Sequence, residues 1–338
     1  CLLIAVVGGN LVSGQEQIEK ESVYSPWIME EELEMLPVFK NSAYYGHGLS
    51  ADGLSEEEME ARLYRAAEAL GVEITQIERL VDEDWETHRQ KGDLAQYDGL
   101  ISMTAEAGDI EIEIERNGTM YISSQAVSAA GDERLEDLPA GYPREAEDAS
   151  EEQAQALLDS LMEKYSALFG YENPKAYTFL TKDTDIHGKR DREFAVYDGG
   201  GSYEESLLNY SLRRAEFNVI DGRLHSIRFW DYRSVLQELG EYSVVPLEKA
   251  VKRLMDGEYL SASPFGDFEF DRKDVESVDL VYLVNTGADY VIPFYQFNVA
   301  YEDESLAENV EWTVPFCVPA VEAGKIVEET IENWQYWG

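Results

Sequence analysis

The sequence predicts an α+β fold built from repeated units, each a helix followed by an antiparallel β-meander, and three observations predict it. Residues 109–116 alternate Ile110, Ile112 and Ile114 with Glu111, Glu113 and Glu115, the pattern of a strand with one dry and one wet face. Ser55 with Glu58, and Ser150 with Gln153, have capping-box spacing just ahead of apolar stripes of helical period. A third helix opens at Pro246 and is followed by runs at 275–284, 290–301 and 310–321, rich in Val, Tyr and Phe. Helix starts at 55, 150 and 246 recur evenly enough to suggest three copies of one unit. A helix laid on an antiparallel sheet buries both apolar faces, so each copy is expected to enclose its own interior.

The chain begins with Cys1 and the continuous apolar run Leu2 to Val7, then Gly8, Gly9, Val12, Ser13 and Gly14. Residues 1–14 are read as the downstream part of a signal peptide or membrane anchor, with a small-residue cleavage site after Gly14. An acylated Cys1 of a lipoprotein and a cytosolic core segment are the competing readings. The run is too short to span a bilayer, which needs about 20 apolar residues. Residues 15–40 form an acidic tether that ends in a first strand at 36–40, and 41–52 is a loop holding Tyr44, Tyr45 and His47.

The N-terminal α+β domain is set at 41–128. Its helix starts at Ser55, carries Met59, Leu63, Ala66, Ala67 and Leu70 on one face, with Leu54 stapled onto Met59, and stops at Gly71. A strand holding Val72, Ile74 and Ile77 follows, then one at 100–105. Asn117 and Gly118 supply a two-residue type I′ turn from the isoleucine strand to a return strand at 119–123. Residues 129–149, with Gly131, Pro139, Gly141 and Pro143 and no apolar period, read as a linker.

The middle unit spans 150–235. Leu157, Leu158, Leu161, Met162, Tyr165 and Leu168 make the apolar face of its helix, and Gly170 closes it. Strands are expected at 176–181, 193–197, 207–220 and 223–232, the last two joined at Asp221 and Gly222. Gly199, Gly200 and Gly201 before Ser202 read as a flexible turn. The C-terminal unit, 240–330, stands alone or forms one domain with 150–235; Leu247, Ala250, Val251, Leu254 and Met255 line its helix up to Gly257.

Composition narrows the partners. A chain of 338 residues exceeds one typical core. Its 69 Asp and Glu against 27 Lys and Arg give a formal net charge of -42, a field that repels nucleic acid and anionic lipid. Basic proteins and cations remain open as partners, and a solvating or salt-adapted surface is the plain alternative. Cys1 and Cys317 are the two cysteines, so no disulfide framework is read, and Cys317 is taken as a small buried residue.

The third unit resembles the membrane-anchored extracytoplasmic regulators of the YycI type, which act on a sensor histidine kinase in Gram-positive bacteria. The matching residues are the run Val275, Glu276, Ser277, Val278, Asp279, Leu280, Val281 and Tyr282, then Ile292, Pro293, Phe297 and Val299, and Val318, Pro319, Ala320 and Val321. The helix-then-meander unit is similar to PepSY and cystatin-like modules, with Ser55, Glu56, Glu57 and Glu58 opening the first helix in that pattern. These resemblances cover about a third of the chain. They imply a regulatory binding domain outside the membrane and carry over no catalytic residue. The first two units have no counterpart in the YycI pattern, which leaves the kinase partner open.

Chemical motifs are sparse. His47, His88, His187 and His225 lack zinc spacing, and there is no nucleophile elbow or phosphate loop. Asp183, Asp185, His187, Gly188 and Asp191 resemble the first part of a calcium loop, so Asp183, Asp185, His187 and Asp191 are the candidate metal ligands. Phe194 stands where the bidentate Glu belongs, and Lys189 and Arg190 add positive charge, so an ordinary polar hairpin is the competing reading. His47 between two glycines lines a small-molecule pocket or is merely solvated. Trp27, Trp334, Tyr336 and Trp337 form a contact surface, or the last three pack the tail onto the final sheet.

The expected function is therefore a non-catalytic binding and regulatory protein, secreted or membrane-anchored through its N-terminus and acting on a cell-surface or envelope protein. The alternative is a cation- or small-solute-binding lipoprotein. No cofactor is expected, calcium being the one candidate. A hydrolase ranks last, because carboxylate pairs arise anywhere in so acidic a chain.

Overall fold

The computed structural model describes residues 33–41, 53–82, 84, 98–124, 135–139, 141–184, 189–261, 269–285, 288–301, 312–332 and 334. Over these residues the chain is α+β with antiparallel sheets throughout. Residues 1–14, most of 15–40, and His47, His88, His187, Trp27, Tyr336 and Trp337 lie outside the described residues.

The first helix, α1 (Glu56–Leu70), starts as read: the Ser55 side chain accepts from the Glu58 N–H, and the Glu58 carboxylate accepts from the Ser55 N–H at 2.8 Å. Gly71, at φ 69°, ends it in the left-handed conformation that favours glycine. The second helix, α2 (Glu151–Phe169), repeats the arrangement with Ser150, Gln153 and Gly170. Each helix introduces four strands. After α1 come β2 (Gln76–Val81), β3 (Leu100–Ala107), β4 (Ile110–Glu115) and β5 (Met120–Ser124). After α2 come β7 (Pro174–Thr184), β8 (Arg190–Asp198), β9 (Arg213–Ile220) and β10 (Arg223–Asp231).

These strands form one sheet in the order β2-β3-β4-β5-β10-β9-β8-β7, with the short β6 (Glu136–Asp137) on β10. The two meanders thus meet through their last strands, Ile122 opposite Ile227, in an order that reads the same from either edge. Both helices cover one face: α1 packs on β3, β4 and α2, and α2 packs on β7. Beneath them lies a core of Met59, Leu63, Leu158, Leu161, Phe169, Ile112, Ile122, Phe194, Phe217 and Ile227. Residues 135–149, expected as linker, contribute Leu138 to that core and β6 to the sheet.

The second core belongs to the C-terminal third. The helix α4 (Leu247–Met255) packs on β16 (Trp312–Pro319), and β13 (Val275–Tyr282), β15 (Pro293–Tyr301), β16 and the short β12 (Leu260–Ser261) form a sheet in the order β12-β16-β15-β13. The short helix α5 (Lys325–Glu332) follows. The first strand, β1 (Met35–Lys40), lies far from α1 in the topology: it sits between β11 (Gln237–Ser243) and β14 (Tyr290–Val291) and buries Leu36, Val38 and Phe39 in this second core. Trp334 packs edge-on against Phe294, with ring centroids 5.1 Å apart.

Three separate interiors are expected, and among the described residues two are found. The first two units share a sheet, and β8 separates the two cores: Phe194 and Val196 enter one, Ala195 and Tyr197 the other. Three local readings are also corrected. Residues 207–212, expected in a strand, belong to a further helix, α3 (Tyr203–Leu212), capped by the Ser202 hydroxyl that accepts from the Glu205 N–H. Val72 and Ile74 precede β2 instead of lying in it. The turn at Asn117–Gly118 is a three-residue loop, in which Glu115 and Thr119 close the hairpin and Gly118 alone takes a positive φ, 93°. The two-residue turn with both φ values positive occurs at Asp221 (50°) and Gly222 (70°), between β9 and β10.

Candidate functional site

Side chains of both sheet-sharing units converge on a cleft of about 270 Å³ where the units meet. On α1, Met59, Leu63, Ala66 and Ala67 face the core, which leaves Arg62 and Arg65 at the rim of the cleft. The end of α2 supplies Leu168, Phe169 and Gly170; Ile114 and Met120 flank the β4–β5 turn. Arg213, Phe229 and Asp231 come from β9 and β10.

The polar side of the cleft is an ion network across the unit boundary. Asp231 Oδ2 is 3.2 Å from Arg62 Nη2, and its Oδ1 is 3.9 Å from Arg213 Nε. Arg62 Nη2 also donates to Ser234 Oγ at 2.9 Å, and that hydroxyl donates to the Asp231 carbonyl at 2.7 Å. Arg213 Nη2 donates to the Phe169 carbonyl at 3.4 Å, satisfying an acceptor at the end of α2, and its guanidinium lies over the Tyr171 ring at 5.2 Å. Burial pushes the Asp231 carboxyl above its ordinary range, against the pull of Arg62 and Arg213. Burial likewise raises the Tyr171 hydroxyl. The apolar wall is aromatic, with Phe169 and Phe229 rings 6.0 Å apart.

Gly118 lets the walls close up. A Cβ there would lie 2.5 Å from the Asp231 carbonyl oxygen, so the β4–β5 turn seats against the end of β10 only because that side chain is missing.

Two larger hollows, about 530 and about 580 Å³, flank α4. Glu269, Asp271 and Asp274 line the first with Tyr259 and Phe270. The second is floored by Pro319, Val321, Val327 and Ile331, and its Arg253 is 3.4 Å from Glu322. Acids dominate both, as they do the chain as a whole, and these hollows single out no chemistry.

Two of the four candidate metal ligands fall on paired strands. Asp183 is in β7 and Asp191 in β8, which pair antiparallel with Thr184 opposite Arg190, whereas Asp185 and His187 lie outside the described residues. The Thr181 hydroxyl donates to the Asp191 carbonyl at 2.9 Å, and Lys189 is 2.7 Å from Glu145. Among the described residues, no three His, Cys, Asp or Glu groups gather as a metal site. Cys317 is buried, which pushes its thiol up to about 12.

Sequence reasoning did not find the cleft. Arg62 and Arg65 sit one turn apart on α1, and Arg213 lies inside the segment 207–220 read as strand, so nothing in their spacing joins them before the sheet is assembled.

No family model and no curated protein matches the chain. Among solved structures, it is similar to a crystal structure of an uncharacterized protein from Eubacterium rectale, with a TM-score of 0.37 and 10% identity over 86% of this chain and 84% of that one. That similarity names no activity and does not bear on the YycI or PepSY resemblance.

Proposed function

We propose that the chain is a non-catalytic binding and regulatory protein, held at or outside the cell membrane, that takes a ligand between its first two units and meets a protein partner on its surface. The observation that carries this reading is that the cleft is lined by both units, so an occupant touches α1, the end of α2 and the strands that join them. A cleft with an apolar wall and a few converging polar groups is a common form of ligand site. Its charged groups are arginines and one aspartate already engaged by two of them, a set suited to holding a ligand and supplying no free base. The apolar run Leu2 to Val7 and the resemblance in the C-terminal unit support the location and the regulatory role. The net charge of -42 favours a basic partner surface.

Hydrogen–deuterium exchange on the whole chain with a panel of small solutes tests the reading: at least one solute is expected to protect residues 62–66 and 167–170. Turnover of any solute at the cleft would overturn the non-catalytic part. A cross-linking pull-down from envelope fractions that recovers no specific protein would overturn the partner. The loop carrying Asp183, Asp185, His187 and Asp191 stays a separate cation proposal, removed if millimolar calcium leaves Tm unchanged.

A further inference from the structure

The charge balance of the cleft is the reverse of that of the chain. Acids outnumber bases 69 to 27 overall, yet Arg62, Arg65 and Arg213 line the cleft against the single acid Asp231. Asp231 engages Arg62 and Arg213, and those two arginines are further fixed by Ser234 and by the Phe169 carbonyl. Arg65 is different. It is exposed, and among the described residues it forms no ion pair. Glu68 lies three residues on along the same helix, and Glu58 faces Arg62 from the turn before it. The cleft therefore keeps a surplus of positive charge beside an aromatic wall, in a chain whose net charge is -42.

We propose that the cleft binds a small organic anion, its carboxylate held by Arg65 with Arg62 and Arg213 behind it, and its apolar body laid on Phe169, Phe229 and Met120. This rests on the reading of the cleft as the recognition site and adds the class of ligand. A guanidinium offers two parallel donors that match a carboxylate, and the opposite charge strengthens both bonds, an advantage that benzyl alcohol and benzylamine lack. The volume of about 270 Å³ limits the ligand to the size of a short fatty or aromatic acid. Arg62 and Arg213, already engaged, are positioning residues: they hold the local field positive and the floor rigid while Arg65 makes the contact.

The test is isothermal titration of the full chain with sodium benzoate and sodium hexanoate, against benzyl alcohol and benzylamine at matched ionic strength, with hydrogen exchange to locate each ligand. The two acids are expected to bind and to protect residues 62–66 and 167–170, and benzylamine is not. Arg65→Gln is expected to weaken benzoate about tenfold, in line with loss of a charge-assisted pair, and Arg65→Lys by less, because charge is kept and the two-donor geometry lost. Arg65 is exposed and outside the core, so neither variant endangers the fold. Benzyl alcohol binding in the cleft as tightly as benzoate, or benzoate binding unchanged by Arg65→Gln, overturns the anion inference and leaves the cleft a recognition site. Failure of every probe to protect the cleft overturns the inference and counts against that wider reading too.

Discussion

Single side chains hold the junctions of this fold, and Asp198 shows how. It ends β8, and its carboxylate accepts the backbone N–H groups of Glu172, Asn173 and Gly200 at 3.0, 3.1 and 3.1 Å, tying the α2–β7 turn to the loop before α3. Burial alone would raise its pKa, but those donors outweigh burial and hold the carboxyl below its usual range. Asp198→Ala orphans three partly buried donors and is expected to cost about 2–4 kcal/mol in urea unfolding. Glu193 goes the other way. Burial raises it to about 7, Arg214 pulls it back, and Glu216, which shares a hydrogen bond with it, pushes it up again. The folded pair thus takes up a proton that the unfolded chain does not hold between about 4.5 and 7. Its contribution to stability is fullest below 4.5 and fades as pH rises through 7. Glu193→Gln is expected to remove that fade, so the difference in Tm between variant and parent widens from pH 5 to pH 8; a constant difference would refute the assignment.

At the scale of elements, what the sequence shows depends on whether a segment has two unlike faces. The helices α1 and α2 and the isoleucine strand β4 were legible because a buried face alternates with a wet one at a fixed period, and β13, β15 and β16, buried along most of their length, because they are rich in Val, Tyr and Phe. The helix α3 has no such contrast. Ser206, Leu207, Leu208, Asn209, Tyr210 and Leu212 are all buried, so its polar and apolar residues do not segregate, and an apolar run of that length reads equally as strand. Strand β11 was missed for the opposite reason: its residues are mostly exposed and polar, and it exists because β1 pairs with it. The β4–β5 turn was read one residue short, since Arg116 looks like the end of a strand. Its N–H donates to the Ile101 carbonyl and its guanidinium bridges to Asp98, which holds Arg116 in the loop. Gly118→Ala tests that turn: the positive φ and the 2.5 Å approach to Asp231 O are expected to cost more than about 2 kcal/mol and to perturb the cleft as well.

For the molecule as a whole, the evenly spaced helix starts coincide with α1, α2 and α4 and say nothing of how the segments after them combine. Periodicity tells which face of a segment is buried and not against what, so the joining of two meanders through β5 and β10, and the cleft at their junction, were not legible. Because β8 serves both cores, neither is complete without the other. Urea unfolding followed by tryptophan fluorescence and by circular dichroism is expected to give one coincident transition; two resolved steps would show the cores to be independent. A fragment ending at residue 235 would bare Tyr177, Tyr197, Leu207 and Leu212 and is expected to bind a hydrophobic dye.

The placement of β1 also sets a timetable. Met35 pairs with Ser243 and Phe39 with Val291, so on the ribosome this strand waits until β11 and then β14 emerge. Until then Leu36, Val38 and Phe39 have no home, and a product stalled before β14 carries a sticky unpaired strand that a chaperone or protease can recognise. The segment from β11 to β14 acts as a latch, closed once both strands have joined β1.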